Sequence, residues 1–223
     1  MNILKNLLSY LFEIPIEKIN SDINGDLFLV LKKGRLFLTT NEAIYSWEDY
    51  YVNFSHALVH THFITPPKNV LILGLGMGSI INIFEKTLGL KSHFTCVEKD
   101  PAIIYLATKH SLPNFHSQIT TIETDAWSFM RSNEKKFDCI CSDVFINDII
   151  PGEILTRNYL ERIRDSLSEN GVLWFNTLYH SVDDKKASDK YFEDYFVKVF
   201  PNASKLPVLG NLMLVNDTQC VKA

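Results

Sequence analysis

The sequence predicts an α/β fold built on a mostly parallel sheet, and three observations carry that prediction. Apolar runs at 70–73, 93–97 and 137–142 have the continuous character of strands buried on both faces. Helical segments at 80–88 and 102–109 alternate with them, as parallel strands require. At the end of the first run, Gly74, Gly76 and Gly78 stand at alternate positions before the helix begins. A strand that turns through glycines into a helix brings backbone N–H groups toward a ligand at the helix N-terminus. The same glycines would also serve a sharp strand-to-helix turn that binds nothing.

The second run ends in Glu98, Lys99, Asp100 and Pro101. A carboxylate at the tip of the second strand can accept hydrogen bonds from ribose hydroxyls, which makes Glu98 the candidate ribose reader. A solvated acidic loop is the plainer alternative. Pro101 suits the first turn of the next helix. The glycine spacing is G-x-G-x-G, one residue short of the G-x-G-x-x-G that accompanies nicotinamide dinucleotides, and no hydride-transfer residue stands out.

The combination resembles Rossmann-like S-adenosylmethionine-dependent transferases, and more narrowly the spermidine synthase family of aminopropyltransferases. VLILGLGMGS stands where that family has V-L-I-I-G-G-G-D-G-G, and VEKDPAII stands for its V-E-I-D-x-x-V-I. TDAWSFM is similar to G-D-G-x-x-F-M, and FDCICSDVF to Y-D-V-I-I-x-D-S. The resemblance spans residues 69–178. It implies a seven-stranded class I methyltransferase sheet with a C-terminal antiparallel hairpin. It implies Gly74, Gly76, Met77, Gly78, Glu98, Asp125 and Ala126 as the binding residues for S-adenosylmethionine or its decarboxylated form. Asp125 would accept from the adenine amino group, with Ala126 and Trp127 packing on the ring; helix capping is compatible with that role. Asp143 would be the general base on an attacking amine, which is protonated at neutral pH and cannot attack until the proton leaves.

Two departures touch the reacting end. Met77 replaces the aspartate that holds the aminopropyl ammonium, which on its own favours S-adenosylmethionine, with its own carboxylate, over the decarboxylated ligand. DVFINDIIP replaces D-S-S-D-P, displacing the second aspartate to Asp148. Glu48, Asp49 or Asp148 would be alternative countercharges. The reading is therefore a transferase moving a methyl or aminopropyl group to a small acceptor, with a non-catalytic adenosine-binding protein as the alternative.

The flanking segments extend the expectation. An apolar stripe over 2–12 predicts a helix packed on the body of the protein or on a second copy in a homodimer. Strands at 26–30 and 35–39 around Lys32-Lys33-Gly34 read as a hairpin, a shortened form of the family's N-terminal β region. Residues 1–55 form that N-terminal unit and 56–223 the nucleotide-binding domain. The stretch 41–54 is dense in aromatic and acidic residues. Tyr45, Glu48, Asp49, Tyr50 and Tyr51 would line an amine pocket there, or the stretch would be an amphipathic helix covering the sheet. Further strands are expected at 119–123, 172–177, 205–209 and 212–215, and helices at 155–167 and 183–200.

Composition narrows the classes. A net charge of −4 with mixed signs argues against a nucleic-acid partner. Cys96, Cys139, Cys141 and Cys220 lack zinc-like spacing, and His56, His60 and His62 lack a third-ligand pattern, so no metal is expected. No secretory signal or membrane-length apolar run is evident, which suits a cytoplasmic location with no membrane partner.

Overall fold

In a computed structural model that describes residues 3–41 and 44–222, the strands divide between two sheets. The chain begins with α1 (Ile3–Leu8). It does not bury its apolar stripe on the body, because Ile3, Leu7, Leu11 and Phe12 are exposed. Polar contacts hold its end instead. The Lys33 N–H donates to the Ser9 carbonyl at 2.8 Å, and the Gly34 N–H donates to the Ser9 hydroxyl at 2.8 Å.

Strands β1 (Ile14–Ser21), β2 (Gly25–Lys32), β3 (Arg35–Thr39) and β4 (Ile44–Ser46) form an antiparallel sheet in sequence order. The expected hairpin is its centre, β2 paired with β3. β1 escapes a sequence reading because its register slips between Pro15 and Glu17, which breaks the two-residue alternation. β4 has only three residues, and Glu42 and Ala43, part of the aromatic and acidic stretch, lie outside the described residues. That stretch is neither one helix nor a loop. It runs from β4 through a helical turn at Glu48–Tyr50 into α2 (Val52–Val59).

The second sheet contains β5 (Asn69–Leu73), β6 (His93–Glu98), β7 (Gln118–Glu123), β8 (Phe137–Ser142), β9 (Leu167–Leu178), β10 (Ser204–Val208) and β11 (Asn211–Val215). Their order is β10-β11-β9-β8-β5-β6-β7, parallel from β9 to β7, with β11 antiparallel to both neighbours. This is the seven-stranded sheet expected from the sequence. Alternation along β5 sends Val70 and Ile72 to one face and Leu71 and Leu73 to the other. On the first face lie Phe54 and Leu58 of α2, Ile80 of α3 (Ser79–Asn82), and Ile103 and Leu106 of α4 (Pro101–His110). Leu27, Leu29 and Leu38 of the N-terminal sheet join the same cluster. On the second lie Met130 of α5 (Ala126–Ser132), Tyr159 and Ile163 of α6 (Arg157–Ser166), and Tyr191 of α7 (Val182–Tyr191). A Ser181–Asp184 capping box starts α7, and a π turn carries its line to Val199.

The strand order reverses between β6 and β8, on either side of β5. Leu73 pairs with Val97 on one side and Ser142 on the other, so the carboxyl ends of three strands are level. Gly74, Glu98 and Asp143 therefore meet at one edge, where open parallel sheets bind ligands. Gly74 is demanded by that crowding. It has φ +92°, and a Cβ there would lie 2.1 Å from the Asp143 carbonyl oxygen. Gly74→Ala is expected to cost about 3 kcal/mol or more, combining left-handed strain with overpacking, as read from the urea midpoint. Wild-type stability in that variant would show that the two strand ends separate freely.

Candidate active site

A cavity of about 700 Å3 opens at this edge, lined by both sheets and by the loops that follow β5, β6, β7 and β8. Its lining includes Gly74, Gly76, Glu98, Lys99, Asp125 and Ala126. Glu98 closes β6 and is engaged by the backbone around it. Its Oε1 accepts from the N–H groups of Lys99 at 2.8 Å and Asp100 at 3.0 Å, and its Oε2 accepts from Leu75 N–H at 3.1 Å. The Gly76 N–H also faces this carboxylate, so a ribose hydroxyl would share acceptor positions that the backbone already uses. Burial pushes the Glu98 carboxyl up from its usual range, against the pull of those N–H groups. Asp125 caps α5 by accepting from Ser128 N–H at 2.8 Å and also lines the cavity, so capping and ligand contact are geometrically compatible.

Three other positions differ from expectation. Met77 is 2% exposed and packs in the core beside Leu75 and Ile80; it does not line the cavity. Its side chain therefore does not determine what meets the reacting end. Gly78 also lies off the cavity wall: it begins α3 at φ +81°, and a Cβ there would meet the Phe115 ring at 3.0 Å. Trp127 turns toward Tyr159, ring centroids 6.2 Å apart, leaving Ala126 alone at the cavity.

Asp143 stands in the middle of the cavity wall, directly beyond β8. Its Oδ2 accepts from the Tyr51 hydroxyl at 2.7 Å and its Oδ1 from Asn176 Nδ2 at 2.9 Å. It is half-buried, and burial raises its pKa to about 6 in spite of those two donors. Asn176, on β9, was not singled out from the sequence. It is 2% exposed, and its Oδ1 has no hydrogen-bond partner among the described residues. The signal was one amide in the apolar run VLWFNTL, which says that it is buried but not toward what.

The lining also includes Tyr45, Trp47 and Tyr50, and Phe145, Asn147, Asp148 and Glu153. The aromatic and acidic stretch is thus divided by role. Tyr45, Tyr50 and Tyr51 face the cavity, whereas Glu48 accepts from Leu36 N–H at 2.9 Å and Asp49 accepts from Nε and Nη2 along one edge of the Arg35 guanidinium. Of the three candidate countercharges Glu48, Asp49 and Asp148, only Asp148 lines the cavity. The His56 and His60 rings lie tilted against each other at the end of α2, centroids 4.3 Å apart, and neither lines this cavity.

An open, mostly parallel sheet with its cavity at the strand-order switch, beside a glycine turn and an acidic second-strand tip, defines a Rossmann-like α/β architecture. Comparison with known proteins makes the family plain. The family model for the spermine/spermidine synthase domain matches residues 52–216, and the chain belongs to that family. A polyamine aminopropyltransferase of Vibrio vulnificus is 32% identical over 168 residues, covering 72% of this chain and 56% of the relative. The chain thus spans about half the length of the curated relatives it matches. Among solved structures, a probable spermidine synthase of Corynebacterium glutamicum superposes with a TM-score of 0.71 at 18% identity, over 92% of this chain and 79% of that one. Spermidine synthase of Thermotoga maritima gives 0.67 at 19% identity, over 91% and 72%. These likenesses establish the fold. Among the described residues, no helix is long and apolar enough to cross a membrane.

The Asp143 environment has a consequence for stability. The folded carboxyl keeps its proton up to about pH 6, whereas an unfolded aspartate releases it near about pH 4. The site therefore favours the fold below about pH 4 and loses that contribution as pH rises through about 6. Two units correspond to about 3 kcal/mol. Asp143→Asn is expected to be more stable than wild type near about pH 8, by up to about 3 kcal/mol, with the gap closing by about pH 4. Denaturant titrations at both pH values read this; a pH-independent gap would mean that Asp143 is not buried as a charge.

Proposed function

We propose that the chain transfers an aminopropyl group from decarboxylated S-adenosylmethionine to a small polyamine-type acceptor. The observation that carries this reading is Asp143, held by Tyr51 and Asn176 in the middle of a cavity whose other walls suit an adenosine and an amine. Membership of the spermine/spermidine synthase family, and the polyamine aminopropyltransferases among the relatives, support the aminopropyl donor over S-adenosylmethionine itself. The preference for S-adenosylmethionine argued from Met77 loses its basis, since that side chain lies in the core.

Bound, the donor supplies a sulfonium whose adjacent carbon is electrophilic. The chain does the rest. Glu98, Asp125 and the glycine turn fix the adenosine, with the Glu98 carboxylate on a ribose hydroxyl. Asp143 receives the proton of the attacking amine at one carboxylate oxygen, and its negative charge faces the sulfonium. Asn176 Oδ1, which lacks a partner among the described residues, suits a second N–H of that amine, so that the nitrogen is oriented as well as deprotonated. The amine nitrogen bonds to the aminopropyl carbon as the carbon–sulfur bond breaks, leaving methylthioadenosine. Burial brings the base closer to a primary amine than an ordinary aspartate stands, which favours proton transfer.

The test is formation of methylthioadenosine from the decarboxylated donor and putrescine. The expected acidic limb of kcat/KM has its midpoint at about pH 6, because below it Asp143 is protonated and offers neither base nor countercharge. Asp143→Asn should lower kcat by about 10^2–10^4. Transfer that survives intact in that variant, or that needs S-adenosylmethionine and yields its demethylated product, would overturn the reading.

A further inference from the structure

The loop that follows Asp143 owes its position to a residue from the other sheet. Its tip is a tight two-residue turn: Ile146 N–H donates to the Ile149 carbonyl at 2.9 Å, and Ile149 N–H to the Ile146 carbonyl at 3.1 Å. Asn147 sits at φ +54°, a left-handed conformation that asparagine tolerates better than most side chains. Its N–H points outward from the turn and donates to the Tyr45 hydroxyl at 2.6 Å. That hydroxyl in turn donates to Asn24 Oδ1 at 2.6 Å. Asn24 Nδ2 donates to Asp100 Oδ2 at 2.6 Å. Asp100 is 1% exposed and caps α4, two residues beyond Glu98. A continuous line of hydrogen bonds thus runs from the fixed end of β6, across the N-terminal sheet, to the tip that carries Asp148.

On the aminopropyl-transfer reading, on which this rests, we infer that Tyr45 is a positioning residue for the acceptor amine, acting through the Asn147–Asp148 turn. Tyr45, Asn147 and Asp148 all line the cavity. Asp148 is the one carboxylate of the three candidates that reaches it, and the two hydrogen bonds between Ile146 and Ile149 lie within its own turn and do not join it to the N-terminal sheet. The Tyr45 hydroxyl supplies that attachment. Burial pushes the phenol up to about 12, with the charges of Glu98, Asp100 and Asp148 adding to the effect, so it stays a neutral hydroxyl that both donates and accepts. Glu98 and Asp125 accept from backbone N–H groups, and the Tyr45 hydroxyl donates to neither. The tether therefore acts on the acceptor and spares the donor.

Tyr45→Phe removes the tether while keeping the ring. With decarboxylated S-adenosylmethionine and putrescine, the variant should show a putrescine KM raised about five- to tenfold, the scale of one hydrogen bond. The donor KM should stay within about twofold, a split that general loosening of the fold would not produce. Hydrogen exchange of the Asn147 amide should accelerate in the variant, since its acceptor is gone. An unchanged putrescine KM in a folded variant, equal rises in both KM values, or unchanged exchange at Asn147 would each overturn the inference. A wild-type protein inert with putrescine would instead overturn the transfer reading from which it starts.

Discussion

The contact on which the rest of this structure depends is the one between Gly74 and Asp143. The Asp143 N–H donates to the Leu73 carbonyl at 2.8 Å, and the Gly74 N–H donates to the Val97 carbonyl at 2.9 Å. Three strand ends are thereby tied at one level, with no space between Gly74 and the Asp143 carbonyl for a side chain. Asp143, the glycine turn and Glu98 are held at one level by these backbone contacts. Side chains are then free to serve the ligand. That economy is why a parallel sheet with its order reversal here makes a binding edge.

The N-terminal sheet converts this edge into an enclosed cavity. A Cβ on Gly76 would lie 2.9 Å from the Tyr45 carbonyl oxygen, so the segment after β4 rests directly on the glycine turn. The Ser46 and Ser79 hydroxyls are 2.6 Å apart, and the Trp47 N–H donates to Ser79 Oγ at 3.1 Å, joining that segment to the start of α3. Glycines that a sequence reading assigns to ligand approach therefore serve the approach of protein to protein just as much. Enclosure has an electrostatic consequence. It removes water from Asp143, raises its proton affinity toward that of its proposed task, and makes the unliganded site a local cost to folding.

How much of this was legible depends on what kind of signal each residue leaves. The centre of the sheet was legible because its buried parallel strands are apolar runs, and Glu98, Asp125 and Asp143 were legible because each stands within two residues of the end of an expected strand. Met77 was not, because the direction of a side chain between two glycines is set by their positive φ values, which the sequence does not reveal. β1 was hidden by its slipped register at Pro15. Asn24, Asn147 and Asn176 were silent for another reason: a single amide has no period and no spacing, and its meaning comes only from partners 76, 102 and 33 residues away. The acidic and aromatic stretch was legible as composition, but its division into inward tyrosines and outward carboxylates depends on Arg35 and the Leu36 N–H drawing Asp49 and Glu48 aside.

The central claim is that one cavity seats an adenosine thioether with its sulfur toward Asp143. A crystal structure of the protein with methylthioadenosine tests this most directly. The account expects the ribose on Glu98, the adenine beside Asp125 and Ala126, and the sulfur in the part of the cavity walled by Asp143, Tyr51 and Asn176. Methylthioadenosine bound outside this cavity, or with its sulfur directed away from Asp143, would contradict it.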